Sequence, residues 1–178
     1  ELHVCKWLYD HEEGAAKDVF STPATTGRSC MFLGCMNGHL AVCEWLFEVG
    51  AGADITKADN NGDTPMLEAC RNGHVTMCQW LFTHGAVDDV TVANNSGWTP
   101  LLVACKNNQL PACLWAFEMG AKEDVTMADG YGRTPMFWSC HAGHLPICQW
   151  LFQNGAAGDI TRANTVGQTP MFMACLSG

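Results

Sequence analysis

Basic side chains are scarce in this sequence. Nine Lys and Arg residues stand against eighteen Asp and Glu residues, which gives a formal net charge of −9 at pH 7. Because phosphate binding needs clustered Lys and Arg, this balance argues against a nucleic-acid partner. The sequence also lacks any apolar run near the ~20 residues that a membrane-spanning helix needs, so we expect no membrane partner.

Residue sets that could carry out catalysis are missing as well. An enzyme needs an asymmetric group of nucleophile, base and orienting residue, and the polar residues that do not repeat along this chain offer none. No Gly-rich phosphate loop stands between a predicted strand and a helix. Cys140 and His141 are adjacent, but neighbours on a helix point about 100° apart. We therefore expect no enzyme activity, no catalytic residue and no cofactor.

What the sequence does contain is a repeat. Gly-x-Thr-Pro occurs four times at a spacing of 35 residues, starting at Gly62, Gly97, Gly132 and Gly167, and a degenerate fifth copy occupies residues 27–30. Self-similarity at a period of this size is typical of a solenoid, in which each unit contacts only its neighbours. Thr followed by Pro predicts a helix start, with Thr as the N-cap and Pro at the first helical position.

Each unit predicts two short antiparallel helices followed by a projecting segment. Gly38, Gly73 and Gly143 are expected to end the first helix, and Asn108 replaces glycine there in one unit. A second helix is predicted for Val75–His84 and its equivalents in the other units. Roughly a dozen residues then carry an Asp, a β-branched pair and a turn, which we interpret as a hairpin-like finger rather than a true strand pair.

Two helices and a finger with Thr-Pro, Gly-His and Gly-Ala marks, as at 64–65, 73–74 and 85–86, resemble the ankyrin repeat. The resemblance implies one domain, 1–178, with an all-α ankyrin-repeat solenoid fold and β-hairpin-like fingers. The expected units are an incomplete first unit (1–26), full units at 27–61, 62–96, 97–131 and 132–166, and a partial last unit (167–178). Neither end carries the polar cap that a terminal repeat needs, so we expect a piece of a longer array.

The unit also departs from the family. Its period is 35 rather than 33 residues. The histidine that the family places after Thr-Pro-Leu is replaced by Phe32, Leu67, Leu102, Phe137 and Phe172, so the Thr–His hydrogen bond implied by the resemblance is absent. Insertions around His11–Glu13 and Phe20–Pro23 predict an irregular first finger.

Ten of the eleven cysteines occupy two repeated positions. One position holds Cys35, Cys70, Cys105, Cys140 and Cys175, and the other holds Cys5, Cys43, Cys78, Cys113 and Cys148. Zinc sites favour paired ligands such as C-x2-C, whereas the spacing here is C-x7-C across two helices. We therefore expect core thiols in a reducing compartment, cytoplasm or nucleus, and no metal site. Thiol-based redox sensing is the alternative.

Two further ladders are interpreted as structural. The tryptophans at one position of the second helix are expected to fill the seam between neighbouring units, with an exposed aromatic stripe as the alternative. They are Trp7, Trp45, Trp80, Trp115 and Trp150. The histidines of the Gly-His motif resemble a ligand set, but we expect structural hydrogen bonds from them. They are His39, His74 and His144.

Function is expected where the copies differ, at the finger tips and on one face of the first helix. The resemblance implies that both sets line one concave groove, and aromatic residues and Arg are the usual anchors of protein interfaces. We expect the chain to be a monomeric segment that acts as a protein-binding scaffold. Its partner is expected to offer apolar side chains and also basic ones, which suit the negative net charge. A structural or regulatory spacer within a larger enzyme or channel is the alternative. The expected partner-binding residues are Asp63, Glu68, Arg71, Asn95, Trp98, Lys106, Tyr131, Arg133, Trp138 and His141.

Overall fold

Helices account for all the regular structure that the described residues form. The computed structural model describes residues 2–177, so Glu1 and Gly178, the two ends of the expected domain, lie outside the described residues. Across the described part of the chain no strand forms, which confirms the all-α prediction. The helices are α1 (Leu2–His11), α2 (Glu13–Asp18), α3 (Cys30–Met36), α4 (Leu40–Glu48), α5 (Pro65–Arg71), α6 (Val75–Thr83), α7 (Pro100–Lys106), α8 (Leu110–Glu118), α9 (Pro135–His141), α10 (Leu145–Leu151) and α11 (Pro170–Ser177).

The predicted helix starts and stops are confirmed. The hydroxyl of Thr99 accepts a hydrogen bond from the Leu102 amide at 3.3 Å, and Ser29 caps α3 in the same way in the degenerate copy. These caps satisfy one of the amides that a helix start leaves without an intrahelical partner. Asn108, which replaces glycine after α7, has a φ of 60° in the left-handed region. Asparagine tolerates that region best after glycine, so it can end the helix.

The helices pack as a stack of pairs. The first helices α3, α5, α7, α9 and α11 contact one another in sequence, and each of the first four also contacts the second helix of its own unit. Met66, Ala69 and Cys70 on the inner side of α5 are fully buried, as expected for positions that repeat in type. Within residues 2–177 these first-helix contacts run from each unit to its neighbour, which is the solenoid arrangement.

The fingers begin with a short 3-10 turn rather than an extended strand. Asp89 and Val90 lie in such a turn, Asp88–Val90, and Glu123–Thr126 forms the next one. The tip that follows is closed by a backbone hydrogen bond, which runs from the Asp129 amide to the Arg133 carbonyl oxygen at 3.0 Å in one finger. Neighbouring fingers are also bonded, because the Gly130 amide donates to the Ser96 carbonyl oxygen at 3.0 Å. Helix α2 stands where the first finger was expected, at the site of the insertion.

Glycine is required at the finger tip. Gly97 has a φ of 79°, and a Cβ at this position would lie 3.0 Å from the backbone nitrogen of Gly130 in the next finger. A side chain here would be strained by its backbone conformation and would also separate the two fingers. The repeated Gly therefore belongs to the fold.

The tryptophan ladder lies at the seam between units. Trp115 is 8% exposed, and its ring meets the ring of Phe82 from the preceding unit edge-on at 6.1 Å between centroids. Phe117 and Trp150 repeat this contact one unit later at 5.4 Å. The exposed member is Trp7 in α1, which is 57% exposed. For the inner units, the seam interpretation is therefore confirmed over the exposed stripe.

A histidine of the Gly-His motif also joins neighbouring units. The Nε2 of His144 donates a hydrogen bond to the carbonyl oxygen of Lys106, the last residue of α7, at 3.0 Å. This bond satisfies a carbonyl that the end of the helix leaves free. It is the structural role that the sequence predicts for this histidine.

Paired thiols lie inside each unit. The sulfur atoms of Cys105 and Cys113 are fully buried and 3.5 Å apart, and the equivalent pairs 35/43, 70/78 and 140/148 are 3.5–3.7 Å apart. Burial, and then the hydrogen bond with Cys113, raise the pKa of the Cys105 thiol. This contact joins the two helices of one unit, across the C-x7-C spacing.

We expect thiol accessibility to divide the cysteines into two groups. Six are buried and five are partly or fully exposed, the five being Cys5, Cys30, Cys140, Cys148 and Cys175. A chromogenic thiol reagent should therefore titrate at most five thiols quickly in the native protein and all eleven after denaturation without reductant. Rapid reaction of all eleven in the native state would contradict the burial of the repeated pairs.

The repeated Asp of the finger is buried. Asp124 is 5% exposed and its Oδ2 has no hydrogen-bond partner among the described residues, and Asp89 shows the same arrangement. Burial raises the pKa of Asp124 to about 6; Glu123 raises it further and the Thr99 hydroxyl opposes the shift. Burial, and then the charge of Asp88, raise the pKa of Asp89 to about 6. The folded protein is therefore more stable when both carboxyl groups are protonated.

We expect these two carboxyl groups to make stability fall as pH rises. An unfolded Asp titrates near pH ~3.9, so their contribution is fully present below that pH and is lost as pH rises through about 6. The double variant Asp89→Asn/Asp124→Asn should flatten the pH dependence of the free energy of unfolding between pH 4 and 6.5. Urea denaturation at several pH values measures it, and an unchanged slope in the variant would contradict the prediction.

Candidate partner-binding surface

The expected partner-binding residues lie on the fingers and the first helices. We call this face, formed by the tips at 59–63, 94–98, 129–133 and 164–168 together with α5, α7 and α9, the finger–helix surface. The structure brings most of these residues into one continuous group of charged and aromatic side chains.

Each tip is held by an Asp or Asn side chain. Oδ1 of Asp129 accepts hydrogen bonds from the amides of Tyr131 and Arg133 at 2.9 and 3.0 Å. The residues at 59, 94 and 164 accept from the two equivalent amides of their own tips. Asp and Asn are suited to this position because a short side chain can hydrogen-bond the backbone two residues ahead. The turn therefore fixes where the variable tip side chains point.

Arg71 lies above two buried carboxylates. Its Nε is 2.9 Å from Oε1 of Glu68, and its Nη2 is 3.6 Å from Oδ1 of Asp63. Asp63 also accepts a hydrogen bond from the Asn94 amide group in the next finger. Burial raises the pKa of Glu68 and the charge of Arg71 opposes the shift. Glu68 and Asp63 are 5% and 6% exposed, and they hold an Arg71 side chain that is 26% exposed.

Lys106 lies between two tryptophans. Its Nζ is 4.2 Å from the ring centroid of Trp98 and 4.3 Å from that of Trp138, and the two rings are 5.4 Å apart. Both distances are within the range in which a cation is attracted to an aromatic face. Burial lowers the pKa of Lys106, and the charges of Arg71 and Arg133 lower it further. Among the described residues, no carboxylate lies within ion-pair distance of this ammonium group.

Two aromatic residues are less exposed than the sequence suggests. Trp138 is 9% exposed, because Trp98 and the side chains of Lys106 and Arg133 cover it. Trp98 is half-buried, and its Nε1 is buried without a hydrogen-bond partner among the described residues. These two rings therefore form the floor of the surface rather than projecting from it.

Arg133 is fixed from below and stacked on both sides. Its Nε and Nη2 are each 2.8 Å from Oδ2 of Asp129, and the same oxygen accepts from Nε1 of Trp138 at 3.3 Å. The guanidinium carbon lies 4.7 Å from the ring of Tyr131 and 4.4 Å from that of Trp138. Tyr131 is 62% exposed and is the expected tip aromatic that remains accessible.

The last two expected residues lie at the edges of this group. The side chain of Asn95 donates to the Asn60 carbonyl oxygen at 3.3 Å, which places it in the row of bonds between fingers. His141 contacts Oγ of Ser177 at 2.9 Å, and its ring lies 5.9 Å from that of Trp138. Asn95 therefore supports the fingers, and His141 extends the aromatic group toward α11.

Two clefts open on either side of the tryptophan pair. A cleft of about 280 Å³ is bordered by Asn61, Asp63, Arg71, Asn94 and Trp98. A second cleft of about 220 Å³ is bordered by Tyr131, Arg133, Trp138, His141, Val166 and Met173. The first is bordered mainly by polar side chains, and the second by aromatic and apolar side chains together with polar ones. Together they give the surface two differently shaped recesses.

Sequence reasoning missed Asp129, the residue that organises the second half of this surface. Its signal is present, because Asp or Asn stands three residues before the tip glycine at 59, 94, 129 and 164. Because Asp or Asn repeats at this position, the residue was not expected among those that bind a partner. Its Oδ2 nevertheless accepts hydrogen bonds from Arg133 and Trp138, which do not repeat. A repeated residue can thus position the variable ones.

Other kinds of site receive no support from the described residues. Within residues 2–177, no group of three or more His, Cys, Asp or Glu side chains is arranged to hold a metal ion. No described helix is long and apolar enough to cross a membrane.

Comparison with known proteins gives one family. A family profile described as ankyrin repeats in three copies matches residues 32–127 and 112–178. No curated protein matches the chain. The matched residues include every finger and helix that forms the finger–helix surface.

Proposed function

The chain belongs to the ankyrin repeat family, and on that premise we propose that its finger–helix surface binds a partner protein in a concave groove. Ankyrin repeats are generally protein–protein interaction modules. The observation that carries the proposal is the group around Lys106, in which two tryptophans, two arginines and an exposed tyrosine lie together on one face. Trp, Tyr and Arg are the residues most enriched at the energetic centres of protein interfaces.

The proposed role is binding without catalysis. The charged side chains of the surface are paired with one another or stacked on rings, which suits recognition rather than proton transfer. We place this activity in a reducing compartment, cytoplasm or nucleus, because the buried thiol pairs are packed as core residues. The segment is proposed to act as a monomeric scaffold whose surface remains open to its partner.

Affinity capture with matched double variants tests the proposal. Tyr131 and Val166 border the second cleft and are 62% and 74% exposed, whereas Leu145 begins α10, Phe152 directly follows it, and they are 62% and 52% exposed. The amount of each protein that the wild type captures should fall at least ~5-fold with Tyr131→Ala/Val166→Ala, since loss of an interface anchor costs more than ~1 kcal/mol of binding free energy. They should be retained with Leu145→Ala/Phe152→Ala.

The two variants also separate the alternatives. A partner lost only with the α10 substitutions would place binding on the second helices and contradict the proposal. Capture that is equal for all three proteins would also contradict it, and would favour a spacer within a larger protein. Circular dichroism melting of each variant checks that the fold is intact.

A further inference from the structure

The finger–helix surface differs in charge from the chain as a whole. The chain has a net charge of −9 and only nine basic residues, yet Arg71, Lys106 and Arg133 lie side by side on this surface. The acidic residues beside them, Asp63, Glu68 and Asp129, are each 5–6% exposed. The three cations are therefore partly exposed, whereas the three carboxylates are buried.

The pairing of these charges leaves one cation without a partner. Arg71 and Arg133 are each held by buried carboxylates, but Lys106 has none within ion-pair distance in the described part of the chain. Its ammonium group is instead enclosed by two rings and flanked by two guanidinium groups. The charges of Arg71 and Arg133 repel the ammonium group, and each acts more strongly on it than the opposing charge of Asp129.

An anion bound here would relieve that repulsion. Carboxylates form charge-assisted hydrogen bonds with ammonium and guanidinium groups, which are about twice as strong as neutral ones. The exposed part of the site is limited in size, since the side chains of Arg71 and Arg133 are 26% and 23% exposed. One or two acidic side chains would therefore match it better than an extended polyanion, which needs a larger basic area.

The two clefts indicate how a peptide would continue on either side. The polar cleft at Arg71 and Asn94 can accept backbone groups, and the cleft at Tyr131 and Val166 can accept an apolar side chain. A segment that crosses the tryptophan pair would pass Lys106 between these two clefts. Charge complementarity of this kind sets specificity and association rate.

We infer that the partner segment is an acidic peptide, with a carboxylate seated on Lys106 between Arg71 and Arg133 and an apolar side chain in the cleft beside Tyr131. The inference rests on the proposed function, because it names the chemistry of the partner for the same surface. It replaces the basic partner expected from net charge, since the charge that a ligand meets is local.

Selection from a random 12-residue peptide library against the whole chain tests this inference. Enriched peptides should carry net negative charge, and their affinity should fall at least 10-fold with Lys106→Glu. Lys122→Glu changes the net charge by the same amount at an exposed lysine that lies 6.0 Å from the Phe117 ring. That control variant should change affinity less than twofold.

Two further measurements keep the test decisive if Lys106→Glu does not fold. Lys106→Gln should still weaken binding several-fold, and replacing the peptide's Glu and Asp by Gln and Asn should weaken binding to the unaltered protein at least 10-fold. Neutral or basic peptides that depend on Tyr131 and Val166 would overturn the acidic partner and leave the proposed function standing. If substitution of Tyr131 and Val166 weakens the binding of no enriched peptide, the acidic partner and the proposed function are both overturned.

Discussion

Replacing Trp115 with alanine is expected to lower the free energy of unfolding by about 3–5 kcal/mol, the range for truncating a buried aromatic side chain. Trp115 is 8% exposed and packs across the seam onto Phe82 of the preceding unit. Its loss would leave a cavity between two units, and in a solenoid the contact between neighbours is a main source of stability. Chemical denaturation followed by circular dichroism measures the change.

The same ladder offers a matched control. Trp7 occupies the equivalent position in α1 but is 57% exposed and stacks on His11. Trp7→Ala should therefore cost less than about 1 kcal/mol, in the range of surface substitutions. Equal destabilisation by the two substitutions would contradict the seam interpretation of the ladder.

Replacing Asp129 with alanine is expected to cost about 3 kcal/mol, although this residue lies in a finger rather than in the helical core. Its carboxylate accepts from two backbone amides, from Arg133 and from the Trp138 indole, and it is 5% exposed. Its loss leaves two backbone amides and the Trp138 indole N–H without an acceptor, at about 1 kcal/mol or more each, and leaves Arg133 without its carboxylate. The loss is measured as a shift of the urea midpoint.

Asp129→Asn separates the turn from the ion pair. Asn stands at the equivalent positions 94 and 164, where its side-chain oxygen accepts from the same two amides. This variant should keep the turn and cost roughly 1 kcal/mol, the net worth of the lost charge-assisted bond to a partly exposed Arg133. A cost equal to that of Asp129→Ala would show that the turn contributes little.

Features set by local rules could be predicted from the sequence. Thr99 with Pro100 predicts a capped helix start, and Asn108 predicts a left-handed stop. Burial of Met66 is predicted because the residue type at its position repeats. Each of these depends on a few consecutive residues. The arrangement of the helix pairs and fingers follows from their repetition.

The exposure of the site residues could not be predicted in the same way. Trp138 is covered by Trp98 from the neighbouring finger and by Lys106 from the neighbouring helix. Whether a side chain at a variable position is exposed thus depends on which side chains of the adjacent unit pack against it. Which charged side chains of the surface are exposed could not be predicted for the same reason, because Asp63 is buried where Asn94 of the next finger binds it.

The central claim is that the partner binds the finger–helix surface, and amide hydrogen exchange of the complex tests it most directly. With the captured partner or a selected peptide bound, protection should increase at 94–98, at 129–133 and around Lys106 at the end of α7. The second helices α6, α8 and α10 should exchange as in the free protein. Protection confined to those second helices, with unchanged exchange at the finger tips, would contradict the account.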